Sequence, residues 1–317
     1  MLAADLSPWL VRVASFVFGA LWGSFFNVAI HRWPRGMSVV SPPSHCPACE
    51  APIPAWRNLP IVGWLILRGR AACCGAHLSP RYPLVELLGA LVCVALAEAV
   101  VVEAPAGVTL GAAILETFAW FVFAGGLVIA TFVDLEWMEI PDEVTMAGTA
   151  VGLVTVPLRS MPEALDVVLG AGGGFLIVQM LFVWAYERLA GRRGMGEGDA
   201  KLLMMIGAFL GWRGALFALV AGAMQGLVVA LVAIVSGRSI GPTASMDSAT
   251  FEEQLHAPVP PGAQDQAPVA GADDTEPEEE SVGRLKVPFG PFLALAGLEF
   301  LFFGERVIEA YLALIAP

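Results

Sequence analysis

Long apolar segments alternate with short polar ones along almost the whole chain of 317 residues. A helix needs about 20 consecutive, mostly apolar residues to cross the hydrocarbon core of a bilayer. The pattern predicts eight such helices, of which the fourth and sixth are short, at 9–30, 83–102, 110–133, 144–158, 165–186, 202–210, 215–235 and 289–314. We therefore expect an all-α polytopic membrane protein.

The composition supports this expectation. Hydrophobic residues make up 57% of the chain and charged residues only 15%, and the mean hydropathy is +0.73. In a typical soluble domain about a quarter of all residues are charged, so the composition excludes a soluble protein. The first apolar segment is too long for a cleavable signal peptide and has no basic residues before it, so it is expected to remain as a helix.

Arginine and lysine gather in alternate connections between the predicted helices. Positively charged connections tend to stay in the cytoplasm, so the N-terminus is expected outside and these connections inside. The basic residues concerned are Arg32, Arg35, Arg57, Arg68, Arg70, Arg81, Arg188, Arg192, Arg193, Lys201, Arg238, Arg284 and Lys286.

The net charge of −12 arises mostly from one segment. Residues 241–280 hold ten acidic and no basic residues, and without them the net charge is −2. We interpret 237–288 as a disordered cytoplasmic insertion, with a docking tail for a basic partner as the alternative. The remaining divisions are a first helix (1–30), a cytoplasmic cysteine-containing domain (31–82), a membrane core (83–236) and a last helix (289–317).

A glycine-rich segment precedes the sixth predicted helix. Gly194, Gly196 and Gly198 alternate with other residues and lead directly into Asp199. Glycine allows the main chain to approach a substrate strand closely. An ionisable residue at the start of a membrane helix is a candidate functional residue. Lys201 is interpreted as an anchor on the cytoplasmic side.

A second carboxylate arrives on the same side of the membrane. Asp134 ends the third predicted helix, whereas Asp142, after Pro141, is expected to cap the next helix. Two carboxylates held close together cannot both ionise readily, so one keeps a proton while the other activates water. This is the requirement of aspartic proteolysis. The alternative for either aspartate is a helix cap or an interface anchor.

Four cysteines lie in the first cytoplasmic segment, as Cys46-x-x-Cys49 and the adjacent Cys73 and Cys74. Paired thiolates in a reducing compartment are typical of a structural zinc site. Adjacent cysteines would need a strained backbone to bind one ion, so His45 or His77 could replace one of them, and a metal-free knuckle is the other possibility. Cys93, within an apolar segment, is expected to be a small core residue.

These segments resemble the type IV prepilin peptidases, a family of intramembrane aspartic proteases. The family pattern of an aspartate followed by Ile-Pro-Asp matches Asp134 and residues 140–142. Its Gly-x-Gly-x-Gly-Asp-x-Lys-Leu pattern matches residues 194–202. The resemblance implies that Asp134 and Asp199 are the catalytic residues.

Other motifs narrow the resemblance to the bacterial enzymes. They are Gly-Ser-Phe-Phe-Asn-Val at 23–28, the Cys-x-x-Cys, Ser-Pro-Arg-Tyr-Pro at 79–83 and Phe-Gly-Pro at 289–291. The adjacency of the second cysteine pair departs from the family pattern. Asn27 could serve helix packing or orient the substrate, and both roles stay open. Glu86 could form a salt bridge with Arg81 or bind the substrate.

The resemblance implies a bacterial inner-membrane enzyme that cleaves the leader of type IV prepilins or pseudopilins after a glycine at the cytoplasmic face. It also implies methylation of the new N-terminus with S-adenosylmethionine. The rival hypotheses are a proton-coupled transporter, whose acids belong near the bilayer midplane, and a non-enzymatic scaffold for pilus assembly. The expected partners are the prepilin and the bilayer; no basic face indicates nucleic acid, and the sequence leaves the oligomeric state open.

Overall fold

Each apolar segment predicted to be helical forms a helix in a computed structural model, because a backbone surrounded by hydrocarbon must satisfy its hydrogen bonds internally. The structure describes residues 2–46, 48–54, 57–191, 195–236 and 288–315. The predicted insertion at 237–288 therefore lies outside the described residues except for its last residue. Gly194 also lies outside them. The α-helices are α1 (Pro8–Arg32), α2 (Val62–Ile66), α3 (Arg81–Ala97), α4 (Leu110–Trp137), α5 (Asp142–Val154), α6 (Ala164–Ile177), α7 (Tyr186–Ala190), α8 (Glu197–Ser236) and α9 (Gly290–Ile315).

Shorter helical elements extend or connect these helices. The 3-10 helices are Ala3–Asp5, Trp33–Arg35 and Val156–Leu158, and π-helical segments follow α3 at Glu98–Val102 and α6 at Val178–Ala185. No β-strand occurs among the described residues, only isolated antiparallel bridges. The predicted all-α fold class is confirmed.

Five helical segments are long and apolar enough to cross a membrane: Pro8–Arg35, Arg81–Val102, Leu110–Trp137, Ala164–Leu189 and Glu197–Ser236. The chain is therefore a multi-pass membrane protein. The fourth predicted span corresponds to α5, which has 13 residues. The sixth and seventh lie within α8, and the described apolar part of α9, Gly290–Gly304, is also short. Eight crossings thus stays a prediction.

The chain reverses direction inside α8, at Gly211. This residue adopts φ 71° and ψ −175°, a conformation that favours glycine. Before it, α8 follows α9 in ascending order: Gly198 and Gly290 both lie against Ile140, and Ile206 lies near Gly297. After it, Gly214 faces Phe300 and Gly222 faces Phe292, in descending order. The two halves of α8 therefore run in opposite directions along α9.

Arg159 holds the end of the first half of α8. Its guanidinium donates hydrogen bonds to the carbonyl oxygens of Ala208 and Phe209 and to that of Gly152 in α5. These carbonyls include groups left without intrahelical partners where the helix breaks. The buried arginine thus fixes α5 to α8 at the end where Gly211 lies.

Close contacts at glycines bring the helices together, as is usual in membranes, where association depends on packing. A side chain at Gly19 would collide with the backbone of Gly89, and one at Gly207 with that of Gly170. The core includes Phe123 of α4 and Phe209 of α8, whose rings stack with centroids 4.6 Å apart. At the opposite end from Arg159, the end of α4 meets the beginnings of α5, α8 and α9.

Candidate active site

The two predicted aspartates line one cavity, of about 500 Å3, at this end of the bundle. Asp134 lies in the last turn of α4 and Asp199 in the first turn of α8, and their residues are only 6% and 8% exposed. Their charges lie close enough to interact. The packing of α4 against α8 thus brings together two carboxylates that are 65 residues apart in the sequence.

Each carboxylate has one oxygen engaged by a backbone N–H group. The Gly290 N–H donates to Oδ2 of Asp134 at 2.9 Å, and the Gly196 N–H donates to Oδ2 of Asp199 at 3.1 Å. An oxygen that accepts such a bond is poorly placed to carry a proton itself. The Oδ1 atoms accept no backbone hydrogen bond from the described residues and are the more accessible positions for a proton, water or substrate.

Glycines are needed where the backbone approaches the carboxylates. A Cβ atom at Gly290 would lie 2.6 Å from Oδ2 of Asp134, and one at Gly198 would lie 3.2 Å from Cβ of Ile140. Gly196 supplies the N–H group that binds Asp199. The glycine-rich segment thus lies against Ile140 and Asp199 and also lines the cavity.

Asp142 and Lys201 form an ion pair at the cavity. Lys201 Nζ lies 2.6 Å and 2.8 Å from the two carboxylate oxygens of Asp142, the first residue of α5. Pro141 occupies the cap position and no side chain makes a cap bond, so the expected side-chain cap by Asp142 is wrong. Asp142 does lie in the first turn of α5, where a negative charge suits the helix dipole. Lys201 connects α8 to α5 beside the predicted dyad.

Asn27 and Glu86 do not line the cavity. The Asn27 amide donates to the carbonyl oxygens of Tyr82 and Gly23, so this side chain connects α1 to α3. Glu86 accepts the Ile61 N–H at 2.7 Å. The expected salt bridge between Glu86 and Arg81 is wrong, because Arg81 pairs with Glu136 of α4 instead. Both predicted supporting residues therefore contact the N-terminal part of the chain.

The four cysteines between α1 and α3 form one cluster. Their Sγ atoms all lie within 4.8 Å of one another, with Cys46 and Cys74 3.7 Å apart and Cys49 and Cys73 3.3 Å apart. Thiolates bound to one zinc ion at about 2.3 Å are separated by roughly 4 Å, so this donor set fits zinc. No histidine among the described residues belongs to the cluster. In the turn that holds Cys73 and Cys74, the positive φ falls on Gly75 (φ 74°).

Hydrogen bonding tunes the cysteine cluster towards metal binding. Burial raises the pKa of the Cys46 thiol, but the backbone N–H groups of Ala48 and Cys49 and the neighbouring thiols bring it down to about 7. Hydrogen bonds to Cys49 and Cys46 raise the pKa of Cys73 to about 12. One thiolate thus forms readily near neutral pH, where it can begin to bind a cation.

Sequence reasoning missed three residues of the cavity region. The Gly290 contact with Asp134 joins residues 156 positions apart, and the only signal was a Phe-Gly-Pro motif before the last apolar segment. Trp33 and Pro34 also line the cavity. They follow the first membrane helix directly, a position that by itself indicates nothing about the site.

Two family models match this chain over most of its length. A family model described as the bacterial peptidase A24 N-terminal domain matches residues 17–100, and one described as the type IV leader peptidase family matches residues 121–231. A prepilin leader peptidase/N-methyltransferase of Aeromonas hydrophila is 32% identical to this chain, covering 96% of it and 95% of the relative.

Two further relatives bear the same description. One from Myxococcus xanthus is 33% identical, covering 96% of this chain and 95% of its own length. One from Neisseria gonorrhoeae is 35% identical over 72% of this chain and 83% of its own length. No solved structure gives a significant match. The similarity to the first two relatives extends over nearly the whole of both chains.

Proposed function

Because this chain belongs to the type IV leader peptidase family, we propose that it removes the leader peptide from prepilins or pseudopilins, with Asp134 and Asp199 as its catalytic pair, and then methylates the new N-terminus. The observation that carries the proposal is the pair of buried carboxylates at one cavity, each with one oxygen engaged by a glycine N–H group. Both aspartates fall within the matched peptidase region, residues 121–231.

The pair performs general acid–base hydrolysis. One carboxylate takes a proton from a water molecule, whose oxygen attacks the carbonyl carbon of the scissile peptide bond. The protonated partner donates its proton towards the carbonyl oxygen as negative charge develops there. The carbon–nitrogen bond then breaks: the leaving nitrogen receives the proton that the first carboxylate took from water, and the former carbonyl oxygen returns its proton to the second carboxylate as the carbonyl re-forms. The glycine N–H groups keep both carboxylates aligned during these transfers.

The location of the cavity suits a substrate that is itself anchored in the membrane. The cavity lies where membrane-spanning helices end, so an apolar substrate helix can stay in lipid while its extended leader reaches the aspartates. The excess of arginine and lysine in alternate connections supports a cytoplasmic site and an external N-terminus, in a bacterial inner membrane. A glycine before the cut would let the unwound chain approach Gly196 and Gly198.

This location also favours a protease over the rival hypotheses. A proton-coupled transporter holds its acids near the bilayer midplane, often at broken helices. Here the helix break at Gly211 lies far along α8 from Asp199, which is in the first turn. A scaffold would need no cavity with two buried carboxylates. The position of both aspartates at helix ends therefore supports hydrolysis at one face.

Incubating the purified chain with a prepilin in detergent or lipid vesicles tests the proposal. We expect mass spectrometry to show loss of the leader and, when S-adenosylmethionine is added, the mass of one extra methyl group on the product. A prepilin with valine in place of the glycine before the cut serves as the control and should stay uncut. An intact prepilin after prolonged incubation would contradict the proposed peptidase.

S-adenosylmethionine supplies the methyl group in such a methylation. We also propose that Cys46, Cys49, Cys73 and Cys74 hold a structural zinc ion. The cluster lies between two antiparallel bridges, His45 with Pro52 and Arg70 with His77, in a segment with little apolar core of its own. A four-thiolate site would fold such a segment on binding.

Metal analysis tests the zinc site directly. Replacing Cys46 and Cys49 together by serine should reduce bound zinc from about one ion per chain to almost none, because two of the four thiolates are lost. Cys93→Ser is the matched control, since Cys93 is a buried cysteine of α3 outside the cluster, and it should retain the metal. Equal zinc content in the double variant and the parent would exclude the site.

A further inference from the structure

The predicted cleavage cavity is built from both parts of the chain that the family models treat separately. Trp33 and Pro34, within the matched N-terminal region, line the same cavity as Asp134 and Asp199. Trp33 is half-buried against the hydrophobic core. Most other side chains around the cavity are carboxylates or small residues, so the indole of Trp33 is the main aromatic surface of the cavity.

An ion pair joins the N-terminal region to the helix that bears Asp134. Arg81, the first residue of α3, pairs with Glu136, which follows Asp134 by two residues in the last turn of α4. Their side chains are only 17% and 23% exposed, so water screens the pair less than it does an ordinary surface pair. The pair therefore fixes the N-terminal region beside the catalytic end of α4.

A cation–π contact makes a second connection at the same place. The guanidinium of Arg35 lies 4.7 Å from the ring centre of Trp137, the last residue of α4. Arg35 belongs to the same 3-10 helix as Trp33 and Pro34. Buried Arg32, just before it, donates to the carbonyl oxygens of Ser38 and Pro42 and so holds the following loop. Contacts of the residues before and after Trp33, Arg32 and Arg35, thus hold it in position.

We propose that these two contacts, Arg81 with Glu136 and Arg35 with Trp137, form a clasp that holds Trp33 as a substrate-positioning wall of the cleavage cavity. The indole packs against an apolar side chain of the substrate next to the scissile bond. This rests on the proposed peptidase function and extends it, because it makes the N-terminal domain part of the peptide-binding site. The clasp acts through Trp33 and does not take part in proton transfer.

Charge reversal tests the clasp through steady-state cleavage kinetics with one prepilin. Arg81→Glu and Glu136→Arg should each raise KM about tenfold and leave kcat within about twofold of the parent, because uniform substrate binding is lost while the dyad stays. Combining the two substitutions restores the attraction and should return KM to within about threefold of the parent. A double variant no better than either single variant would overturn the clasp, as would single variants with unchanged KM.

A matched control exists between α1 and the π-helical segment that follows α3. Arg12 pairs with Glu98 at 2.6 Å on an exposed surface, and neither residue lines the cavity. Arg12→Glu should therefore leave KM unchanged. Failure of the parent chain to cut the prepilin would overturn the proposed function itself, whereas parent cleavage with clasp variants that behave like Arg12→Glu would overturn the clasp alone.

Substitution of Trp33 is a second test, which applies even if the charge-reversed variants do not accumulate in the membrane. Trp33→Phe retains an aromatic surface and should keep KM within about threefold, whereas Trp33→Ala should raise it about tenfold with little change in kcat. The increase should be greatest for prepilins with a large apolar residue next to the cut. Equal KM values for the alanine and phenylalanine variants would contradict the positioning role.

Discussion

Replacing either Asp134 or Asp199 by asparagine should abolish leader removal, with kcat/KM falling by at least roughly 10²- to 10⁴-fold. Asparagine has nearly the same shape and can still accept the Gly290 or Gly196 N–H group. It cannot exchange the proton that hydrolysis requires. Cleavage of a prepilin by purified variants at equal protein level measures the effect.

Asp166→Asn is the control for these substitutions. Asp166 lies in the first turn of α6 and accepts a hydrogen bond from Trp212, next to the reversal at Gly211 and away from the cavity. Its amide variant should cleave normally. The double variant of Asp134 and Asp199 should lose no more activity than either single variant, since the two act as a unit. Ordinary cleavage by either single variant would remove the dyad from the mechanism.

Gly290→Ala should lower kcat about a hundredfold without preventing folding. The added methyl group would lie 2.6 Å from Oδ2 of Asp134 and 2.9 Å from Cδ1 of Ile140, so the carboxylate must move. A displacement of about 1 Å in a catalytic group can cost this much. Gly290 does not have a positive φ, so the effect would come from the contact with Asp134 and not from backbone strain.

The control for this substitution is Gly172→Ala, also in a helix. No heavy atom lies within 4 Å of a Cβ atom at Gly172, so this variant should cleave like the parent. Comparing kcat and membrane protein level for the two variants separates a local effect on Asp134 from a general effect of alanine. An unchanged kcat for Gly290→Ala would show that the Gly290 contact does not position the catalytic group.

The candidate residues of the site could be named from the sequence because they lie in short, recognisable segments. The glycines before Asp199, the Ile-Pro-Asp after Asp134 and the Cys-x-x-Cys are local patterns whose residue types limit what they can do. The adjacent cysteines were a harder case, since backbone strain was expected. Gly75 takes the positive φ in the turn and all four thiols meet.

The supporting residues could not be assigned in the same way. Asn27, Glu86 and Arg81 all lie near helix ends, where several partners are within reach of a polar side chain. One of the two interpretations of Glu86 was a local pair with Arg81, five residues away, but Arg81 pairs with Glu136, 55 residues away. Local spacing is a poor guide to partners when helices meet end to end.

By itself the sequence determined the membrane-spanning character, the all-α fold class, the two candidate catalytic aspartates and the thiolate cluster, because hydropathy and short motifs act over a few residues. Tertiary structure alone decided that Gly290 contacts Asp134 and that Trp33 lines the cavity. Membrane helices are apolar on most faces, so periodicity does not indicate which faces meet. That choice depends on close contacts between small residues such as Gly207 and Gly170, which only the packed helices reveal.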